Sequence, residues 1–170
     1  SSVRSLVQRI LRTYGTDKTA ATSSVKVLVN KLSNPSAQEA AEAAATILKL
    51  SPDNAQALAK LRQLLTSNKP GETTAALWAI PRAEAGGKGL TEALIKILKG
   101  GETGDRILAA VSLGSIGPSA KAAVQPLIEA ATREHPIVVS GREGFNVTGE
   151  VHREAIIALG RIGKEAGAAV

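Results

Sequence analysis

The chain has 170 residues, of which 44% are hydrophobic and only 2% aromatic, with a formal net charge of +6 and no cysteine. Disulfides, thiol catalysis and cysteine-held metals are thereby excluded, and a core of Ala, Leu, Ile and Val suits helices at close approach. No run reaches the roughly 20 apolar residues that span a bilayer, and the positive charge admits an acidic or nucleic-acid partner without selecting either.

In chain order, apolar spacing predicts two helix types in alternation. Type A helices fall near 3–14, 37–49, 72–83, 104–115 and 150–161; type B helices fall near 20–32, 53–66, 89–99 and 119–132. Leu28, Leu61, Leu94 and Leu127 recur every 33 residues. Val25, Leu58, Thr91 and Val124 precede them by three residues, and Leu32, Leu65, Leu98 and Ala131 follow by four. Offsets of three and four lie on one helical face. The A helices share three columns: Ile10, Ala43, Ala76, Ala109; Leu11, Ala44, Leu77, Ala110; Tyr14, Ile47, Ile80, Leu113. One helix pair cannot bury its apolar face alone, so stacked units must supply the core.

Punctuation agrees with this division. Ser36 and Glu39 have capping-box spacing, and Ser51-Pro52 offers an N-cap followed by a first-turn proline. Gly15, Gly114 and Gly160 occupy nearly one column, where each A helix is expected to end. The single domain 1–170 thus divides into units of about 1–34, 35–68, 69–102, 103–148 and an incomplete 149–170. "LGSIGPSAKAAV" (113–124) and "LGRIGKEAGAAV" (159–170) match at a spacing of 46, which leaves an insertion over 133–149. Stopping where a fifth B helix should begin, and starting Ser-Ser without methionine, the chain reads as a piece of a longer protein or a processed one. The compartment stays open at this point, between the cytoplasm and export as a processed precursor.

"AAVSLGSIGPSAKAAVQPLIEA" and "HREAIIALGRIGKEAGAAV" resemble HEAT repeats of the short bacterial type shared with phycobilisome lyase-like proteins. The resemblance is closest in the fourth and fifth units and loose in the second. It departs in the third, where Pro81 stands in the glycine column and "AEAGGKG" fills a loose turn. It implies an all-α fold: an α-α superhelix, the right-handed HEAT-like solenoid, whose B helices line a concave surface offered to another macromolecule. A lyase-like role as accessory subunit of an enzyme follows only from that kinship.

The insertion differs from everything around it. Ile137–Ser140 and Phe145–Thr148 flank Gly141-Arg142-Glu143-Gly144 as a small β-hairpin would. Insertions in repeat proteins map to loops on one edge, often the binding edge. Arg142, Glu143, Phe145 and Asn146 are therefore the expected contacts of a recognition finger; the competing reading is a tolerated surface loop. Asn146-Val147-Thr148 matches a glycosylation acceptor, a three-residue pattern that arises by chance. His135 and His152, with Glu134 and Glu150, bracket the insertion but fall short of zinc's usual four ligands.

Arg62 stands in a column otherwise filled by Val29, Ile95 and Ile128. It either reaches into the B-helix groove toward an acidic group, with Lys96 nearby, or snorkels to solvent. Trp78 shares a column with Ala45, Val111 and Ile157 and is expected in the core. A positive track for nucleic acid is lacking: Lys31, Lys60, Arg62, Lys96 and Lys99 are interrupted by Glu92 and Glu129. No catalytic residue, metal site or cofactor is expected, and "GGKGL" (86–90) lacks the strand and spacing of a phosphate loop. The expected work is non-catalytic protein–protein interaction through the concave B-helix face and the hairpin, with a DNA-binding module as a minor alternative. Self-association through an uncapped last helix is a further expectation.

Overall fold

The computed structural model of the chain describes Ser5 and residues 18–69, 71–133 and 147–163, and over these the protein is all-α, with no strand. In chain order the elements are α1 (Lys18–Val29), α2 (Ala37–Leu50), α3 (Ala55–Leu65), α4 (Glu72–Ala79), a 3-10 run Ile80–Leu90, α5 (Thr91–Gly100), α6 (Thr103–Ile116), a second 3-10 run Gly117–Ala123, α7 (Val124–Thr132) and α8 (Val147–Ile162). The first A helix, with Ile10, Leu11, Tyr14 and Gly15, lies outside the described residues, as do residues 134–146 of the insertion. Val147 and Thr148, expected in the second strand of a hairpin, instead open α8. An i→i−4 backbone ladder runs from there through the fifth A segment, so the helical register claims them.

The caps differ instructively from their spacing. Ser36 Oγ accepts the Glu39 N–H at 3.4 Å, but the Glu39 carboxylate turns to Asn34 Nδ2 at 2.8 Å, and the Ser36 N–H donates to Asn34 Oδ1. Only half of the capping box forms. Ser51 is not the N-cap of α3. It closes α2, its N–H donating to the Ile47 carbonyl at 2.6 Å, while Asn54 caps α3 by accepting from the Ala57 N–H at 3.0 Å.

The residue that ends an A helix is one turn later than the sequence suggests. Gly117 and Gly163, equivalent across the insertion, have φ of +66° and +79°. Gly114 lies inside α6, where an added Cβ would stand 2.9 Å from the Ala158 Cα of α8. Its missing side chain lets two A helices touch, and the turn is made at 117. The third unit places Glu84 in that position, at φ +51° and ψ −137°, a region that favours glycine. Lys49 Nζ meets Glu84 Oε1 at 2.6 Å and helps hold it there. Pro81, three residues before, has no N–H for the Leu77 carbonyl and stops α4 early. The buried Ser112 hydroxyl of α6 donates to that carbonyl instead, at 3.3 Å. Nor is "AEAGGKG" loose: a Cβ at Gly86 would fall 2.2 Å from the Leu48 carbonyl oxygen, so this 3-10 run lies hard against α2.

The A helices α2, α4, α6 and α8 touch in succession, and α1, α3, α5 and α7 each pack on the A helix that follows. The repeat columns are the core. Leu28, Leu61, Leu94 and Leu127 are all 0% exposed, as are Ala43, Ala76 and Ala109; Ala44, Leu77 and Ala110; and Ile47, Ile80 and Leu113. Thr91, the polar member of its column, satisfies its hydroxyl on the Lys88 carbonyl at 2.8 Å. α2 is buried on every side from Ala40 to Leu48, the pattern of a central helix. Thr103–Thr132 is long and apolar enough, by length and composition alone, to cross a membrane. Half of its most apolar window is buried within the protein, however, and the backbone leaves the helical region at Gly117.

Because the position of Glu84 and Gly117 demands left-handed backbone, the two substitutions there should act in opposite directions. Glu84→Gly relieves strain of order 1–3 kcal/mol and loses an exposed ion pair of about 0–1 kcal/mol, so its urea midpoint should rise. Gly117→Ala should lower the midpoint by a comparable strain. Equal midpoints for all three proteins would show that the turn tolerates either residue.

Candidate interaction groove

Two of the expected contact residues come together. Between α3 and α5 lies an open groove of about 470 Å³, lined among others by Arg62, Gln63, Gly89, Glu92 and Lys96. α3 presents Arg62 and Gln63 because its Leu61, Leu64 and Leu65 are committed to the core. α5 presents Glu92 and Lys96 for the same reason, with Leu94 and Leu98 turned inward.

Arg62 does not simply drift to solvent. Its Nη2 donates to the Gly89 carbonyl at 2.8 Å. A Cβ at Gly89 would come within 3.0 Å of the Leu58 side chain, so the backbone there passes close under α3. One donor of a five-donor fork is thus anchored, which orients the others along the groove. Lys96 is exposed and has no ion pair among the described residues. Farther along the B row, Lys99 Nζ holds Glu129 Oε2 at 3.1 Å. α1 and α3 contribute Lys26, Lys60 and Arg62 and contain no acidic residue. Glu92 is the carboxylate that lines the groove.

The remaining expected contacts, Arg142, Glu143, Phe145 and Asn146, lie outside the described residues, as does His135. His152 is described: its Nδ1–H donates to the Ala131 carbonyl, tying α8 to the end of α7. That bond occupies one ring nitrogen, and no metal-holding cluster of His, Asp or Glu occurs among the described residues.

Trp78 corrects the sequence reading. It is 69% exposed rather than core, and it lines a second open groove of about 490 Å³ between α2 and α4, with Gln38, Glu42, Thr74 and Arg82. Its column runs from Ala45, fully buried, to Ile157, 37% exposed. α4 is apolar almost all round, so periodicity alone could not tell its solvent face from its core face. Thr74 Oγ1, one turn earlier on α4, donates to Asp105 Oδ1 at 3.0 Å and links α4 to α6.

Arg106 joins two further elements. Its Nε–H donates to the Leu98 carbonyl at 2.9 Å, in the last turn of α5, where carbonyls lack helical partners. Burial, reinforced by neighbouring Arg133, lowers its pKa from the ordinary arginine value.

The position of Trp78 is directly measurable, because it is the one tryptophan of the chain. Its fluorescence should be red-shifted and readily quenched by iodide. Trp78→Ala should change stability by about 1 kcal/mol or less, against about 3–5 kcal/mol for a core aromatic. A blue-shifted, protected signal would return it to the core.

Searches against family models, curated proteins and solved structures return no match to this chain.

Proposed function

We propose that this chain is a right-handed α-solenoid of HEAT-like repeats that binds a protein partner without catalysis, seating it across the B-helix row. The observation that carries this reading is the anchored guanidinium of Arg62, held on the Gly89 carbonyl in a groove that also exposes Lys96. Burial of the 33-residue columns supports the repeat architecture. Such a groove is concave, polar at its rim and pre-organised, which lowers the cost of ordering on binding.

Charge selects the partner's chemistry. Lys26, Lys60, Arg62 and Lys96 along α1, α3 and α5 outnumber the one carboxylate on those helices, Glu92, while Lys99 is paired with Glu129 of α7. The segment that fits is acidic, with one carboxylate meeting the free edge of Arg62 and another meeting Lys96. No aromatic side chain among the described residues lines this groove to stack bases, which favours an acidic protein over single-stranded nucleic acid. The insertion, with Arg142, Glu143, Phe145 and Asn146, is a second contact in this reading.

Three baits test it by affinity capture from source extract treated with nuclease: the chain itself, Arg62→Glu with Lys96→Glu, and the chain with residues 137–148 replaced by a short Gly-Ser turn. The partner should be retained by the first and lost by the second, its affinity falling on the order of tenfold per charge contact removed. Loss from the third as well assigns the insertion a direct part. Undiminished capture by the charge-reversed bait rules out the groove. Capture abolished by nuclease makes the ligand a nucleic acid.

A further inference from the structure

The outer stripe of α8, Arg153, Ile156, Ile157 and Gly160, corresponds to Ile107, Ala110, Val111 and Gly114 of α6, and no helix among the described residues packs against it. On α6, Gly114 is buried beneath α8, with the Ala158 Cα 2.9 Å from where its Cβ would stand. Gly160 is its counterpart across the spacing of 46, in the same "LG-x-IG" context, and Gly163 repeats the left-handed φ of Gly117. A Cβ at Gly160 meets nothing within 4 Å. Beside that notch, Ile156 is 51% exposed and Ile157 37% exposed, whereas Ala110, the counterpart of Ile156 on α6, is 0% exposed. Together with Arg153, these residues follow the i, i+3, i+4, i+7 spacing of one helical stripe.

We infer that this stripe docks a second copy of the chain, α8 against α8 in antiparallel pairing about a two-fold axis. Charge favours this occupant. Glu150 and Glu154 lie in the first half of α8 and Arg161 in its last turn, so antiparallel pairing brings opposite charges together and parallel pairing opposes like ones. The central cation on the stripe, Arg153, is already compensated within its own helix, by Glu154 at 3.1 Å and Glu150 at 3.6 Å. With the axis between Ile156 and Ile157, Arg153 of one copy passes over Gly160 of the other. A related contact exists within the fold, where the Arg161 Cδ lies 3.4 Å from the Cβ position of Gly114. An isologous patch of this kind is self-complementary and closes at two copies. This surface is separate from the groove between α3 and α5, so either proposal stands without the other.

Sedimentation equilibrium of the full chain over a wide concentration range tests the pairing. The expected result is a monomer–dimer equilibrium, weakened at least tenfold by Gly160→Leu and by Ile156→Arg. A Cβ at Gly160 meets nothing within 4 Å and Ile156 is 51% exposed, so at concentrations where the parent is monomeric both variants should melt no earlier than it, and Gly160→Ala should melt higher, because it removes a helix-interior glycine. The chain has no native cysteine. A single Ile157→Cys substitution should therefore give an oxidised covalent dimer, while Lys121→Cys, exposed on another element, should not. A monomer at every concentration overturns the inference, whatever else the face binds. A dimer indifferent to Gly160→Leu and Ile156→Arg overturns it as well, by placing the contact elsewhere.

Discussion

The close approach of successive A helices is the constraint on which the rest of this structure depends. α2, α4, α6 and α8 touch in succession and bury many alanines, among them Ala43, Ala44, Ala76, Ala109, Ala110, Ala155 and Ala158. Gly114 admits α8 onto α6, and Gly86 admits the 3-10 run after α4 onto α2. Protein interiors tolerate such proximity only when nearly every position along the seam cooperates. Three of the A segments then turn through positive-φ backbone, at Glu84, Gly117 and Gly163, whereas α2 ends at Ser51 with φ −145°.

That turn explains the irregular third unit. Pro81 ends α4 early and leaves the Leu77 carbonyl without its helical donor. Ser112, from the next A helix, supplies one. Glu84 then takes a conformation that glycine takes at Gly117 and Gly163, with Lys49 as its ionic support. Three departures from the repeat pattern are therefore one coupled adjustment, in which a lost backbone bond is replaced across the helix interface and a strained turn is tied down from α2. The polar groups involved stay paired, which is what buried and half-buried positions require.

The surface follows from the same geometry. Among the B helices, α5 and α7 touch, whereas α3 and α5 bound an open groove. Arg62 and Lys96 sit on the rims of that groove because their neighbours Leu61, Leu64, Leu94 and Leu98 are committed to the interior. At the other end of the A row, α8 turns toward solvent a stripe whose counterpart on α6 is buried at Ala110 and Gly114 and half-buried at Ile107 and Val111.

The 33-residue columns were legible in the sequence because a periodic apolar face has no stable alternative to burial. Leu28, Leu61, Leu94 and Leu127, and the alanine columns of the A helices, are buried as their spacing requires, and the helix bounds fall within a few residues of expectation. Arg62 and Lys96 were legible as polar residues beside an apolar column. Which residue caps a helix was not: Asn54 rather than Ser51, and Gly117 rather than Gly114, were decided by hydrogen bonds and dihedral angles that spacing does not encode. Trp78 was misplaced because α4 is apolar on nearly every side, and only its neighbours α2 and α6 determine which side faces water. Sequence alone therefore determined the alternation of helices and the residues of the core, since both follow from local periodicity. Only the tertiary structure decided the approach of α8 onto Gly114 of α6 and the anchoring of Arg62 on Gly89, because each depends on what another element does across a gap in the chain.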